Sequence, residues 1–455
     1  MTFKVFLGIH VVALRLLVEG RARFHPIAAS GTRGHGPHGM SAMTETNKID
    51  AKPSVSMGLR LRHLADRGEV AVILRLAERL ARGTLEIVLP DGERRRVTGP
   101  APGPHAVLCL RNGRVARRYL TAGGVGFAEG FIEGDWDTPD LATLLELLSL
   151  NEDAWGDGYF GGLWHRWMRR LEHTLRPNTR GGSRRNIQAH YDLGNEFFAA
   201  WLDPTMTYSS ALFAEAAQDL EAAQRTKYRN LAREIAVAPG QRLLEIGSGW
   251  GGFAVTAAKE FGARVTSITV SRAQAEYARA RVFREGLAEQ VEILLQDYRD
   301  VKGRFDRIAS IEMFEAVGER FWPTYFRTLR ERLLPDGVAG LQLITIADQY
   351  FEAYRRNVDF IQAYIFPGGM LPSPAVLDQR AAEAGLARTQ EIGFGESYAR
   401  TLAIWNERFQ VAWPRVRELG FDERFRRIWT YYLAYCEAGF RTRAIDVVQT
   451  VLRPA

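Results

Sequence analysis

Residues 241–252 read Gln-Arg-Leu-Leu-Glu-Ile-Gly-Ser-Gly-Trp-Gly-Gly, an apolar run interrupted by Glu245 that breaks into a glycine-dense turn. The run predicts a buried β-strand. Gly247 and Gly249 let the backbone of the turn approach a ligand closely, because glycine adopts φ angles that other residues avoid. The segment Phe253 to Glu260 predicts a helix whose N-terminus faces the same ligand. This stretch therefore predicts a nucleotide-type binding site after the first strand of an α/β sheet.

These glycines suit two classes of cofactor. Gly247, Gly249 and Gly252 match the G-x-G-x-x-G pattern of dinucleotide-binding folds. A nicotinamide site also requires a carboxylate about 20 residues later, at the end of the second strand. The predicted second strand, Arg264 to Val270, is followed by no acid before Glu276. The sequence thus disfavours a dinucleotide.

S-adenosylmethionine (SAM) fits the turn better. Because SAM lacks a pyrophosphate, the bulky Trp250 can be accommodated inside the turn. Glu245 precedes the first glycine and is well placed to bind the amino-acid end of the cofactor. We therefore favour a SAM-dependent methyltransferase, while a turn that binds no ligand stays open as an alternative.

The composition is that of a globular protein with a basic surface. The 455 residues allow two or three domains, and 46% of them are hydrophobic. The net charge of +7 suits an anionic partner, either nucleic acid or phospholipid headgroups, although a merely soluble basic surface explains it equally well. Cys109 and Cys436 are the only cysteines, which excludes a disulfide framework and fits a reducing cytoplasm.

Three segments precede the methyltransferase region. Residues 1–45 predict a disordered or non-native N-terminal extension. Residues 46–150 predict a small α+β domain in which a turn over residues 127–137 is anchored by Trp136; lipid handling by this domain is the alternative. Residues 151–185 predict a helical linker, whose interleaved aromatic and basic residues also suit a single-stranded nucleic acid or a membrane interface.

Five motifs distributed along the chain, the glycine turn among them, are together more specific than that turn alone. They are His-Tyr-Asp-Leu-Gly-Asn (190–195), Tyr-Ser-x-Ala (208–211), Glu-x-Gly-x-Gly-Trp-Gly-Gly (245–252), Met-Phe-Glu-x-Val-Gly (313–318) and Tyr-Ile-Phe-Pro-Gly-Gly (364–369). In this combination the chain resembles the cyclopropane-fatty-acid synthase family, which includes the mycolic acid cyclopropane synthases. The resemblance covers about residues 58–450. It implies SAM-dependent alkylation of cis double bonds in lipid acyl chains.

Residues 186–455 predict a Rossmann-like, doubly wound α/β SAM-methyltransferase domain, because strands alternate with helices. The resemblance adds an acyl-chain pocket to this domain. Ligands of such sheets bind at the carboxyl ends of the strands. By resemblance, Tyr208 and Ser209 contact SAM, Thr269 and Gln274 lie on its ribose side, and Asp297 and Tyr298 hold its adenine. The predicted cofactor-binding residues are Tyr208, Ser209, Glu245, Gly247, Ser248, Gly249, Trp250, Gly251, Thr269, Ser271, Gln274, Asp297 and Tyr298.

The chemistry of the implied reaction requires one base. Attack of a double bond on a sulfonium methyl leaves a carbocation, and the site of proton loss then decides between a cyclopropane and a methylene or methyl-branched chain. A dry aromatic site with one carboxylate stabilises the cation and directs the proton loss. The aromatic residues between Trp405 and Phe440 suit this role, although core packing is the commoner reason for such residues.

The resemblance implies that a bicarbonate ion, held by a Cys, a Glu, a His and a Tyr, handles the proton. Glu315 and Tyr398 match two of these positions, whereas Ser210 stands in place of the cysteine and Ile344 in place of the histidine. Glu312 replaces a residue that is usually glycine, and it offers a built-in base. Bicarbonate is therefore disfavoured. The predicted catalytic residues are Glu315, Tyr398, Glu312, Ser210 and Cys436, and no metal is predicted.

The sequence also bears on how the enzyme binds its substrate and where it is located. Residues 351–366 place apolar side chains on one helical stripe, which predicts either a lid over an acyl-chain tunnel or a helix packed on the core.

The expected partner is an unsaturated phospholipid at the membrane surface, with no nucleic acid, and a homodimer is left open. The expected location is cytoplasmic, peripheral to the inner membrane surface. A cyclopropane product, a methylene or methyl-branched product, and a catalytically silent lipid-binding protein are the competing functions.

Overall fold

The computed structural model describes residues 68–155 and 193–455. The predicted extension over residues 1–45, most of the predicted linker and the start of the 190–195 motif lie outside the described residues. Residues 68–77 form a helix, and the first sheet follows it.

The N-terminal region is built on a four-stranded sheet in the order β2-β1-β3-β4. Strand β1 pairs antiparallel with β2 and parallel with β3. Leu85 and Ile87 are buried and alternate with less buried residues, so one face of β1 packs against the core. The elements are β1 (Arg82–Val88), β2 (Arg94–Thr98), β3 (Ala101–Leu110), α1 (Arg114–Ile132), β4 (Trp136–Asp137), α2 (Leu141–Ser149) and α3 (Glu152–Trp155).

The predicted turn over residues 127–137 is wrong in its first half, because helix α1 continues to Ile132. The glycines before it do not end the helix; Gly123 has φ 58° and ψ −140° and kinks it. The second half of the segment is an anchor. Trp136 is fully buried, stacks on Phe127 with ring centroids 4.2 Å apart, and donates a hydrogen bond to the Phe127 carbonyl.

The second sheet has seven strands in the order β10-β11-β9-β8-β5-β6-β7. Strands β5 to β9 are mutually parallel, and β11 is antiparallel to both of its neighbours. The chain turns back beside β5, so that β6 and β7 lie on one side and β8 and β9 on the other. This switch point opens a crevice at the carboxyl ends of the strands. The strands are β5 (Arg242–Ile246), β6 (Arg264–Thr269), β7 (Val291–Leu295), β8 (Phe305–Ile311), β9 (Leu333–Ile346), β10 (Leu386–Gly393) and β11 (Ile445–Pro454).

Helices connect these strands, so the predicted doubly wound Rossmann-like α/β fold is confirmed. In the described part of the chain no helix is both long and apolar enough to cross a bilayer. The helices are α4 (Asn195–Ala199), α5 (Leu220–Glu234), α6 (Gly252–Phe261), α7 (Arg272–Arg284), α8 (Trp322–Arg332), α9 (Asp348–Arg356), α10 (Pro374–Glu383), α11 (Gly395–Glu418) and α12 (Glu423–Arg441).

The single helix predicted over residues 351–366 is wrong. Helix α9 ends at Arg356, and a separate turn of π-helix follows at Ile361–Ile365. The break lies at Asn357, whose backbone is extended. Asp359 then accepts a hydrogen bond from the Gln362 amide at 2.8 Å, which caps the new turn. The apolar stripe continues across the break, since Phe351 is buried on α9 and Ile365 is buried in the π-helix.

Arginines of α12 join the N-terminal region to the second sheet. The guanidinium of Arg427 donates to the Phe131 carbonyl at 2.6 Å and lies 4.0 Å from the centroid of that ring. Arg441 forms an ion pair with Glu146 on α2 at 3.3 Å. A cation held over an aromatic ring contributes about 0.5–1 kcal/mol at exposed sites and more when desolvated. These contacts place α1 and α2 beside the crevice of the second sheet.

Candidate active site

A cavity of about 490 Å³ opens at the carboxyl ends of β5, β6, β8 and β9. Both parts of the chain contribute to its wall: α1 and α2 on one side, and the seven-stranded sheet with α9 and α12 on the other. Predicted site residues that line it are Tyr208, Ser209, Glu245, Gly247, Ser248, Gly249, Trp250, Thr269, Gln274, Asp297, Tyr298, Glu312, Glu315, Tyr398 and Cys436.

The glycine turn forms the floor of this cavity. Gly247 has φ 100° and Gly249 has φ 50°, in the region that favours glycine. The amides of Gly247 and Ser248 both donate to the Ile268 carbonyl at 2.9 Å, which fixes the turn to β6. A Cβ built on Gly249 meets no atom within 4 Å, so the backbone there borders open space. The turn thus offers a ligand direct access to the backbone.

The residues around the turn fit SAM. The buried carboxylate of Glu245 at the end of β5 accepts a hydrogen bond from Ser267, and Ser267 lies 2.7 Å from the Ser248 hydroxyl. Burial raises the pKa of Glu245 to about 8, and the Ser267 hydrogen bond opposes the rise. A positively charged ammonium beside this carboxylate would offset the cost of burying its charge. Trp250 is buried and donates to Asn195 at 2.8 Å, so its bulk lies in the wall.

The ends of β6 and β7 bring further polar groups to the cavity. Thr269 donates to the Gln274 side-chain oxygen at 3.0 Å. Asp297 lines the cavity, and its carboxylate is paired with the Arg299 guanidinium 2.6 Å away.

Three predicted residues do not line the cavity. Gly251 directly precedes helix α6. Its left-handed backbone, φ 84°, turns the chain into that helix. Ser271 caps helix α7 by accepting from the Gln274 amide at 3.4 Å. The hydroxyl of Ser210 donates to the Ala211 carbonyl at 2.8 Å. The structure therefore places all three behind the wall, in supporting positions.

Glu312 follows the last residue of β8, and its carboxylate accepts hydrogen bonds from three other residues. One carboxylate oxygen accepts from the Ser210 amide and from the Gln342 side chain, both at 2.8 Å. The other accepts from the Tyr398 hydroxyl at 2.6 Å. Burial raises the pKa of Glu312, and the charge of Lys227 and these hydrogen bonds oppose the rise. The arrangement holds a desolvated carboxylate whose charged form is supported from several sides.

Glu315 lies in the short helix after Glu312. One of its oxygens accepts from the Ile344 amide at 2.6 Å, and the other is buried with no hydrogen-bond partner among the described residues. Burial, together with the nearby charge of Glu312, raises the pKa of Glu315 to about 8. The Ile344 side chain lines the cavity and supplies no donor. Ile344 therefore contributes only its backbone amide, which donates to the Glu315 carboxylate.

Aromatic side chains close the site. The Tyr208 hydroxyl donates to the Tyr432 hydroxyl at 2.8 Å, and the Tyr398 ring stacks on Phe440 with centroids 4.5 Å apart. Burial raises the pKa of the Cys436 thiol, so this cysteine stays protonated at neutral pH and lines the wall as an apolar group. The site is therefore rich in aromatic ring faces.

The match to known proteins agrees with this geometry. A family model described as mycolic acid cyclopropane synthetase matches residues 179–450. The chain belongs to this family. It is a SAM-dependent methyltransferase, as the sequence predicts, and SAM is its cofactor.

Individual members of the cyclopropane synthetase family match over most of their length. Tuberculostearic acid methyltransferase UfaA1 of Mycobacterium tuberculosis is 40% identical over 395 residues, which cover 83% of this chain and 90% of that protein. Cyclopropane-fatty-acyl-phospholipid synthase of Escherichia coli K12 is 36% identical over 366 residues, which cover 78% and 89%. Each of these alignments is longer than the SAM-methyltransferase domain over residues 186–455. Both relatives therefore match the N-terminal region as well as this catalytic domain.

Solved structures of the same family superpose on the catalytic domain. The cyclopropane synthase MmaA2 of Mycobacterium tuberculosis matches with a TM-score of 0.56 at 32% identity, covering 59% of this chain and 97% of that structure. The mycolic acid cyclopropane synthase CmaA1, solved in complex with SAH and CTAB, matches with the same score, identity and coverage.

The sequence did not predict two polar residues of this site. Gln342 on β9 donates to Glu312, and Lys227 on α5 is fully buried near it. Helical spacing was the available signal for Lys227, since Ala223 and Leu231 share its face of α5 and are buried. Among the described residues, no group of three or more His, Cys, Asp or Glu side chains is arranged to hold a metal ion.

Substitution of Gly247 by alanine tests the cofactor site. The new Cβ would lie 3.2 Å from the Met313 side chain, at a φ that alanine rarely adopts. The turn must shift, so we expect Gly247→Ala to bind S-adenosylhomocysteine about tenfold more weakly, or worse, which corresponds to about 1.4 kcal/mol. Isothermal titration calorimetry measures this affinity.

Gly240→Ala is the matched control. Gly240 has φ +80° but lies before β5, away from the cavity, and its Cβ would meet nothing within 4 Å. It carries the same kind of backbone strain and should lose stability without losing affinity. Undiminished S-adenosylhomocysteine affinity in a folded Gly247→Ala variant would show that the turn is not the cofactor site.

Proposed function

We propose that this enzyme methylates the cis double bond of an unsaturated phospholipid acyl chain through a carbocation, with Glu312 as the base. When bound at the glycine turn, SAM supplies an electrophilic methyl group that the electrons of the double bond attack. The positive charge then lies on the acyl chain. The ring faces around Tyr398 stabilise such a charge, and the Glu312 carboxylate accepts the proton that is lost.

The position of the Glu312 carboxylate is the observation that carries this proposal. It takes the hydrogen bonds of the Ser210 amide and the Tyr398 hydroxyl. Tyr398 is one of the residues that, by resemblance, hold bicarbonate. Two negative ions cannot share these donors without strong repulsion in a buried site. Together with the apolar Ile344, this favours a protein carboxylate over a bound bicarbonate.

We propose a methylene branch, or a methyl-branched alkene, as the product. A hydride shift would move the positive charge to the methylated carbon, and Glu312 would then take a proton from the new methyl group or from a neighbouring carbon. UfaA1, a relative at 40% identity, is named as a tuberculostearic acid methyltransferase, which supports the same choice. A cyclopropane is the second candidate. It is favoured by Glu315, whose unpartnered oxygen can accept a proton and, once protonated, donate a hydrogen bond to a bound anion.

The acyl chain is proposed to occupy the part of the cavity between the N-terminal region and α12. Val125 on α1, Leu145 on α2 and Tyr435 on α12 line it there. The kink at Gly123 displaces the helix axis beside this wall. The N-terminal region would thus form part of the acyl-chain site, and Val358 with its neighbours between α9 and the π-helix would cover it as a lid.

The enzyme is proposed to act while docked peripherally on the cytoplasmic membrane surface. Leu120 on α1 and Tyr350 on α9 are exposed beside cavity-lining residues. Arg117 and Arg356 on the same two helices are also exposed and suit anionic headgroups. A homodimer stays a prediction.

Replacing Glu312 with glutamine keeps the shape of the side chain but removes its basicity. We expect turnover to fall by about two to four orders of magnitude, the usual weight of a general base. Turnover of mono-unsaturated phospholipid vesicles, followed by mass spectrometry of the acyl chains, measures it. Calorimetry with S-adenosylhomocysteine and a thermal melt establish that the variant is folded.

Glu276→Gln provides the matched control, because Glu276 is an exposed acid on α7 that does not line the cavity. It should turn over at the wild-type rate. Wild-type turnover by a folded Glu312→Gln variant would exclude Glu312 as the base.

Enlarging Val125 tests the acyl-chain site. A tryptophan at this buried position fills cavity volume, and an added or missing methylene in a pocket changes specificity by about tenfold or more. We expect Val125→Trp to reduce the ratio of long-chain to short-chain turnover by about that factor. Leu120→Trp, on the exposed face of the same helix, should leave the ratio unchanged. An unchanged ratio in Val125→Trp would place the chain elsewhere.

A further inference from the structure

Lys227 is a buried cation inside the catalytic domain. It lies on α5, and its side chain has no exposed surface. Burying an ammonium group costs several kcal/mol unless other groups compensate. Lys227 therefore needs partners that supply negative charge or hydrogen bonds.

The contacts of Lys227 lead to Glu312. Its ammonium donates to the Ser209 hydroxyl at 2.6 Å and lies 4.6 Å from the centroid of the Tyr228 ring, and neither group is charged. The negative charges that stabilise it are Glu312 first and Asp203 second. Ser209 is also adjacent to Ser210, whose amide bonds the Glu312 carboxylate.

A second set of hydrogen bonds joins the same two residues. The backbone carbonyl of Lys227 accepts from the Gln449 side chain at 3.1 Å. Gln449 donates to the Gln342 side-chain oxygen at 2.9 Å, and Gln342 donates to Glu312 at 2.8 Å. Helix α5 and strands β9 and β11 are thereby connected through one buried polar network.

We propose that Lys227 is a positioning residue whose ammonium keeps Glu312 ionised and whose bond to Ser209 holds residues 209–210 against that carboxylate. The inference rests on the proposed role of Glu312 as the base. The proton of the buried pair then resides on Lys227, and Glu312 is left able to accept the proton released by the substrate.

Other groups around the carboxylate do not replace this charge. Tyr398 from α11, Tyr432 from α12 and Glu315 from the following turn interact with Glu312, and none of them is a cation. Burial lowers the pKa of Lys227 to about 7, and the charges of Glu312 and Asp203 oppose this. Burial raises the pKa of Glu312, and Lys227 opposes that rise. Without Lys227, the pKa of Glu312 must move further upward.

Lys227→Met in the full-length enzyme tests the proposal through the pH dependence of kcat. A base acts only when ionised, so the rate rises as pH passes the pKa of Glu312. Removing a nearby opposite charge should move this ascending limb upward by about one to three pH units. Below the limb, kcat should fall about tenfold per unit, and it should recover at high pH. Arg225→Met removes an exposed cation from the same helix and should not move the limb.

Infrared difference spectra give a readout that needs no turnover. Lys227→Met minus the Lys227→Met, Glu312→Gln double variant should show a protonated carboxyl band at neutral pH. Wild type minus Glu312→Gln should not. Both comparisons are recorded in a Glu315→Gln background, because the charge of Glu312 also raises the pKa of Glu315 and Glu315 would otherwise add its own band. If Lys227→Met fails to fold, Lys227→Gln removes the charge and retains a donor for Ser209.

The outcomes separate this inference from the proposed function. A uniform loss of kcat at all pH values, with an unmoved limb and no new carboxyl band, indicates a merely structural lysine and overturns the inference. Wild-type turnover by Glu312→Gln instead overturns the role of Glu312 as base. In that case the infrared comparison still decides whether Lys227 sets its ionisation.

Discussion

A carboxylate can be buried in its charged form only where the surrounding chain supplies hydrogen bonds and positive charge. Glu312 imposes this requirement at the end of β8. It holds a left-handed backbone conformation, φ 46°, which costs about 1–3 kcal/mol for a residue other than glycine. The amide of Ser210, the side chain of Gln342 and the hydroxyl of Tyr398 supply the hydrogen bonds. The ammonium of Lys227 supplies the positive charge. Three separate elements are thereby held around one carboxylate, which gives the site its geometry.

The second sheet and the N-terminal region each supply what the other lacks. The sheet brings the glycine turn, Glu312 and Glu315 to its carboxyl edge. The N-terminal region brings apolar wall from α1 and α2, and Arg427 and Arg441 of α12 hold it there. A polar, cofactor-binding end and an apolar end thus share one cavity. This suits a reaction that joins a charged methyl donor to a hydrocarbon chain.

The sequence predicted the parts of this molecule that depend on local pattern. The strand and turn around Gly247 follow from an apolar run and glycine spacing. Glu315 follows from the motif over residues 313–318, and Glu312 from the position just before it. Partners distant in sequence were not predictable, because only the folded sheet brings Gln342 beside Glu312. Lys227 was accessible in principle from helical spacing. The break after Arg356 was missed because the apolar stripe continues across it, although Asn357 and Asp359 favour ending and restarting helices.

In the proposed reaction, the carboxylate of Glu312 takes the place of a bound bicarbonate as the base. The most direct measurement is wild-type turnover of mono-unsaturated phospholipid vesicles in buffer stripped of bicarbonate and then resupplied with it, with the acyl product identified by mass spectrometry. We expect an unchanged rate and a methylene or methyl-branched chain in both buffers. A rate that collapses without bicarbonate and returns on its addition, with a cyclopropane product, would contradict it.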